Sequence, residues 1–313
     1  MKNFRTKWKV LGWFIIAQLI LINISANFYA YRYTHFYKYS VQSQQGSNIF
    51  SKTWNLFSGP VIYKNFSGEP WQGYERDTLS TASGIKLESW YYHSDSSKKC
   101  VIFFHGVTSR KDHFKDEAAV FRSWGYNVLL VDFRAHGNSE GSSTSYGVKE
   151  TEEVDAALKW SLRNGNKKNI IYGSSMGAAV VLKAASEGIM ADGVIADCPF
   201  GSLKEHFKAR AKSLGFPSEP FASLVTFWVG VQQGYNGFGH DVKEYAKKIH
   251  CPVLVQLGDR DHLVNISEPV TIYRNIPFAD KKLVTYKGAD HHSFLRTHKM
   301  EWENYVREFS DNL

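Results

Sequence analysis

Asn169-Ile170-Ile171-Tyr172-Gly173-Ser174-Ser175-Met176-Gly177-Ala178-Ala179-Val180-Val181-Leu182 holds the key to this chain. The apolar run 169–172 is the length of a buried strand, and 176–186, rich in Ala and Val, reads as a helix. Between them stands Gly173-Ser174-Ser175-Met176-Gly177, which fits the G-x-S-x-G pattern of a nucleophile elbow. The two glycines remove Cβ atoms where strand and helix must approach closely, so Ser175 can take a strained turn with its hydroxyl outward. The five-residue string alone is a weak signal, and its strand-turn-helix setting gives it weight. The competing reading makes Ser175 a helix N-cap beside small packing residues.

Working outward, strands and helices alternate from about Gly73 onward. A hairpin is expected over 77–81 and 85–92 around the turn Ser83-Gly84, then a buried strand over 100–104, a helix over 111–124 and a strand over 126–133. Val154, Ala157 and Leu158 mark a helical stripe over 150–163 that stops near Gly165. Strands follow over 193–196, 253–257 and 282–286, and a closing helix over 301–309. Apolar strands separated by helices predict an α/β fold with a mostly parallel sheet flanked by helices.

In such sheets functional groups collect at the carboxyl ends of the strands, and four of those ends carry reactive side chains. Ser175 is one. A serine hydroxyl is a poor nucleophile at neutral pH and needs an imidazole to take its proton and a carboxylate to orient that imidazole. Gly258-Asp259-Arg260-Asp261-His262 and Gly288-Ala289-Asp290-His291-His292, after the strands at 253–257 and 282–286, offer both in the order Ser, Asp, His. The acid is Asp261 or Asp259, with Asp197 a more remote candidate; the base is His291 or His292. His262 reads as a loop residue. Phe104-His105-Gly106-Val107-Thr108-Ser109 ends another strand. Its Val107 N–H, together with Met176 N–H, is the candidate oxyanion hole, while His105 reads as a structural hydrogen-bonder. A dehalogenase or epoxide hydrolase would want Asp at the elbow, where Ser175 stands.

Residues 200–246, between two sheet strands, carry Phe207, Phe216, Phe221, Phe227, Trp228 and Tyr235 among Pro and Gly breaks, as expected of a lid lining an acyl or alcohol pocket, or of helices packed only on the sheet. At the N-terminus, residues 10–31 are uncharged and apolar, about 33 Å long as a helix, enough for a bilayer core of about 30 Å. Lys2, Arg5, Lys7 and Lys9 precede them, which predicts a cytoplasmic tail (1–9), a transmembrane signal anchor and a catalytic domain on the non-cytoplasmic side. The aromatics Phe28, Tyr29, Tyr31, Tyr33, Phe36 and Tyr37 would sit at the far interface. The alternative is a cleaved signal peptide, since Gln18 and Asn23 interrupt the stretch and Ser25-Ala26 follows. Residues 32–72 read as a juxtamembrane segment.

The formal charge is +8, from 38 basic and 30 acidic residues. Six of the basic residues, and no acidic one, fall in residues 1–40, so the remainder is nearly neutral and no nucleic-acid face is expected. The three cysteines, Cys100, Cys198 and Cys251, lie in or beside apolar strands without metal-ligand spacing and read as packing residues. No metal or nucleotide motif occurs, and no cofactor is expected.

Over residues 75–313 the chain resembles the α/β-hydrolase superfamily, and within it the membrane-anchored Bem46-like group. The matching stretches are the His105-Gly106 loop, Asp132-Phe133-Arg134-Ala135-His136-Gly137-Asn138-Ser139-Glu140-Gly141, the serine elbow, Asp197-Cys198-Pro199-Phe200, Cys251-Pro252 leading into 258–264, and 288–291. That resemblance implies an α/β-hydrolase domain over 73–313 with a short helical cap, Asp261 as the triad acid and His291 as the base. It departs from the pattern where Ala135 and Asp290 stand in place of the more usual Gly. The function expected is that of a serine hydrolase transferring the acyl group of an ester or thioester to water, with a small-molecule or lipid-like substrate. A serine peptidase of the same fold and a non-catalytic membrane-tethered binding protein are the alternatives.

Overall fold

The strand sequences explain the sheet. Lys99–Phe104 (β3) and Asn127–Val131 (β4) are buried almost throughout, as strands covered on both faces must be. The computed structural model describes residues 2–37, 48–94 and 97–313, with side chains from residue 7 onward. Residues 38–47 of the expected juxtamembrane segment lie outside them.

Eight strands form one sheet: β1 (Glu75–Ser80), β2 (Lys86–Tyr92), β3, β4, β5 (Lys168–Ser174), β6 (Gly193–Asp197), β7 (Val253–Gly258) and β8 (Lys281–Tyr286). Their order is β1-β2-β4-β3-β5-β6-β7-β8. The β1/β2 and β2/β4 pairs are antiparallel and every later pair is parallel. The helices are α1 (Lys2–Thr34), α2 (Ile49–Ser58), α3 (Lys115–Ser123), α4 (Thr151–Arg163), α5 (Met176–Ser186), α6 (Leu203–Ser213), α7 (Phe221–Gln233), α8 (Val242–Ala246), α9 (Ser267–Asn275), α10 (Phe294–Thr297) and α11 (Lys299–Asp311).

Alternation along the central strands divides the core. Ile102, Phe104 and Ile171 pack with Val154, Leu158, Val181 and Ile272 on one face. Val101, Phe103 and Tyr172 pack with Phe121, Trp302 and Val306 on the other. The expected strands and sheet helices all form. The helix expected over 111–124 begins with a 3-10 turn, Lys111–Phe114, before α3.

A third cluster joins the N-terminal helix to the insertion. Tyr29, Ala30 and Tyr33 of α1 pack against Phe207 of α6 and Ala222, Val225 and Val229 of α7. Asn23 Oδ1, at a polar interruption of the apolar stretch, accepts a hydrogen bond from Trp228 Nε1 (3.0 Å), and the backbone carbonyl of Asn27 accepts one from Gln232 Nε2 (3.0 Å). The aromatic run is therefore split: Tyr29, Tyr33 and Phe36 are buried in the protein and only Phe28, Tyr31 and Tyr37 are exposed. This corrects the expectation that the whole run faces a membrane interface, because the cap supplies an apolar surface at that level. Upstream, α1 stays exposed and contains Lys7–Thr34, a stretch long and apolar enough to cross a membrane.

Candidate active site

Backbone crowding dictates the residues at the end of β5. A Cβ at Gly173 would lie 2.3 Å from the Gly177 backbone, and one at Gly177 would lie 2.0 Å from Phe104 O. Only glycine lets α5 start this close to β3 and β5. The turn puts Ser175 at φ 55°, ψ −112°, a conformation of a non-glycine residue that survives only where the surroundings impose it.

His291 Nε2 lies 2.9 Å from Ser175 Oγ, and His291 Nδ1 lies 2.7 Å from Asp261 Oδ2. The structure thus brings together Ser175, His291 and Asp261 from three strand ends. Asp261 Oδ1 accepts the backbone N–H groups of Leu263 and Val264, both at 2.8 Å. Burial by itself raises the Asp261 carboxyl, but the His291 hydrogen bond and charge and these two donors outweigh it and hold the carboxyl below its ordinary value. Asp261 is an oriented anion with both oxygens engaged.

The other candidates stand elsewhere. Asp259 Oδ1 accepts Gly288 N–H at 2.5 Å, which tightens the turn beneath the histidine loop. Asp197 accepts Tyr172 OH (2.5 Å) and Gln256 Nε2 (2.7 Å) and is buried deeply enough that its carboxyl is pushed up to about 8. His292 lines the same cavity as Ser175. His262 Nδ1 bonds the exposed Asp290 carboxylate at 2.6 Å. Asp290 Oδ1 also accepts His291 N–H at 2.7 Å, so the residue that replaces the usual glycine braces the loop that carries the imidazole.

The loop after β3 lies directly over the serine: a Cβ at Gly106 would stand 3.3 Å from Ser175 Cβ. Val107 N–H meets no protein acceptor among the described residues, and Met176, first residue of α5, has no intrahelical acceptor for its N–H. Two buried histidines hold this loop. His105 Nδ1 donates to Gly106 O (2.8 Å) and its Nε2 accepts Phe133 N–H (3.1 Å). His136 Nδ1 donates to Arg134 O (2.8 Å) and its Nε2 accepts Thr108 N–H (3.2 Å). Burial lowers the pair to about 4 and about 3 respectively, so both are neutral supports. This role was expected of His105 from the sequence, whereas that of His136 was not. The available signal was the 132–141 stretch itself, in which Asp132 accepts Lys111 Nζ at 2.5 Å, Lys111 N–H at 2.7 Å and Ser67 Oγ–H at 2.9 Å. Ala135, at φ 62°, sits where glycine is the unstrained choice.

All three cysteines are free. Among the described residues the one set of His, Cys, Asp and Glu side chains close enough for a metal is Cys198, Asp261 and His291, with ligand atoms within 4.8 Å of one another. Burial pushes the Cys198 thiol well up, which disfavours the thiolate that binds metals. Both His291 nitrogens already face partners.

Comparison with known proteins finds similar chains among hydrolases. Residues 95–237 match the family model described as serine aminopeptidase, S33. The chain is 27% identical to the uncharacterized protein YqkD of Bacillus subtilis, over 75% of this chain and 78% of that one. It is 26% identical to the uncharacterized membrane protein YNL320W of Saccharomyces cerevisiae, over 71% and 75% respectively. It is 28% identical to the lysophosphatidylserine lipase ABHD12 of Danio rerio over 57% of this chain, which spans about half (48%) of that lipase. Among solved structures, the Pyrococcus furiosus esterase Pf2001 superposes with a TM-score of 0.69 at 28% identity, over 80% of this chain and 97% of that one.

Proposed function

We propose that this chain, a hydrolase of the α/β-hydrolase superfamily, cleaves carboxylic ester or thioester bonds by serine acyl transfer. The observation that carries the proposal is the continuous hydrogen-bonded line from Asp261 through His291 to Ser175 Oγ, at 2.7 and 2.9 Å. In this mechanism His291 Nε2 takes the Ser175 proton as Oγ attacks the acyl carbonyl. The tetrahedral oxyanion is met by Val107 and Met176 N–H, and Asp261 stabilises the imidazolium. His291 then protonates the leaving alcohol or thiol. Water, deprotonated by the same imidazole, cleaves the acyl-enzyme and restores Ser175. The catalytic domain is residues 73–313 with the cap at 200–246, anchored by residues 10–31. The basic residues before that helix support a non-cytoplasmic position for the domain.

Ser175→Ala is expected to abolish hydrolysis of short p-nitrophenyl esters and labelling by a fluorophosphonate, with the circular dichroism spectrum unchanged. His291→Ala should lose at least about 1,000-fold in kcat/KM, far more than His292→Ala. Retained turnover in Ser175→Ala overturns the mechanism. The matched family model favours a second reading, an aminopeptidase using the same three residues. Release of nitroaniline from amino-acid nitroanilides, without ester turnover, would select it. A chain neither labelled nor active on either class would be a binding protein.

A further inference from the structure

Arg210, on the cap helix α6, lines the cavity of about 240 Å³ that also holds Ser175 and His291. Its carbonyl serves the end of the helix, accepting from Ser213 Oγ at 2.8 Å. Among the described residues its guanidinium has neither a hydrogen-bond nor an ion-pair partner. Arg134, after β4, shows the contrast: its guanidinium is held by Glu152 and Glu153. A guanidinium on a cavity wall without a counter-ion is free to make a charge-assisted hydrogen bond to an incoming anion. Neighbours that feel its charge include Tyr146 and His206, and neither is an acid.

Two carboxyls share the cavity wall, Glu117 and Asp197. Burial moves both toward the neutral form, Asp197 to about 8, so they oppose an incoming anion less than two free carboxylates would. Next door, a cavity of about 530 Å³ shares Thr108, Ser109 and His113 with the first and adds Arg110, Lys115 and Arg296; Arg110 pairs with Asp112 at 2.6 Å and Arg296 with Asp116 at 2.8 Å, while Lys115 has no carboxylate partner among the described residues. Lys115 and Arg210 are thus the cations lining these two cavities that lack a carboxylate partner among the described residues, a local excess of positive charge beside the serine. Such a field concentrates anions at the mouth.

We propose, on the premise that Ser175 is the nucleophile, that Arg210 and this basic vestibule bind an anionic group of the substrate, a phosphate or a carboxylate. The preferred substrates are then negatively charged acyl esters.

The test compares three short soluble esters on the detergent-solubilised full chain. They are monobutyrin, which is neutral, 1-butyryl-glycerol 3-phosphate, charged on the alcohol side, and glycerol hemisuccinate, charged on the acyl side. At least one anionic ester should exceed monobutyrin in kcat/KM by about 10-fold or more, and which one does distinguishes phosphate from carboxylate. Arg210→Gln should reduce that ratio by about 10- to 100-fold, chiefly through KM, as expected for losing a charge-assisted contact. Arg210→Lys, which keeps the charge, should restore part of it. A wild-type ratio near one, or equal losses on neutral and anionic esters in Arg210→Gln, as a packing role would give, overturns the proposal. Turnover of none of the three counts against ester hydrolysis itself, and this assignment falls with it.

Discussion

At the scale of single residues, the polar groups beneath the site are arranged so that one carboxyl is charged and another is not. Asp261 is held low by His291 and two backbone donors. Asp197, 6% exposed, is pushed up to about 8 by burial, which Tyr172 and Gln256 only partly relieve. A carboxyl whose folded value lies above its unfolded value binds its proton more tightly when folded. Its contribution to stability is therefore complete below about pH 4 and is lost as pH rises toward 8. Asp197→Asn removes that titration and keeps an acceptor for Gln256. Its melting temperature should fall less than that of wild type between pH 6 and pH 9, with the two curves crossing or converging at the alkaline end. Parallel curves would mean that Asp197 does not titrate in this range. The residue types of the site were legible in the sequence because elbow, acid loop and histidine loop each end an apolar strand. The choice between His291 and His292 was not, because neighbours in a loop point apart and only the fold shows which imidazole meets Ser175 Oγ. Arg210 was not legible either, because a lone arginine on an amphipathic helix carries no motif.

At the scale of elements, strands were legible and the cap was not, for a physical reason. A central parallel strand is buried on both faces, so its sequence is a continuous apolar run that announces itself. Helices α6 and α7 divide their apolar residues between each other, α1 and the loop residue Tyr146, and no single helical stripe results. Helix α2 is hidden in the same way, since Leu56 and Trp54 remain exposed while Phe57 and Trp54 pack on Phe28 of α1. The α1–α7 contact makes the N-terminal helix part of the foundation of α6 and α7. Tyr29 is its centre: 2% exposed, with ring centroids 4.9 Å from Phe221 and 6.1 Å from Phe216. Tyr29→Ala should cost about 3 kcal/mol locally, as large-to-small changes of buried aromatics do. Amide hydrogen exchange should then accelerate across α6 and α7 while β3, β5 and β7 keep their protection. A uniform loss across the sheet, or none in the cap, would show that α1 does not support it.

At the scale of the whole molecule, the chain joins a nearly neutral α/β body to a helix that the body covers only at its carboxyl end. Leu11, Trp13, Phe14, Leu19 and Ile20 are each 47% exposed or more, a contiguous apolar surface larger than water-soluble monomers sustain. The flanking sequence carries the charge asymmetry that orients such helices, and α1 is hydrogen-bonded to α7 at Asn23 and Asn27. Insertion of the upstream part into a bilayer removes that surface from water, and charge at its middle opposes insertion by about 2.5–3.5 kcal/mol per arginine. Full-length protein is expected to stay in the membrane pellet through an alkaline carbonate wash. Leu19→Arg combined with Ile20→Arg should be released, because the two penalties together outweigh what a short helix with polar interruptions gains. These positions precede the segment buried against α7, so the released variant should keep the ester turnover of the detergent-solubilised wild type. Release of the wild type by the same wash would mean that α1 rests on the body or on a partner instead of crossing the bilayer.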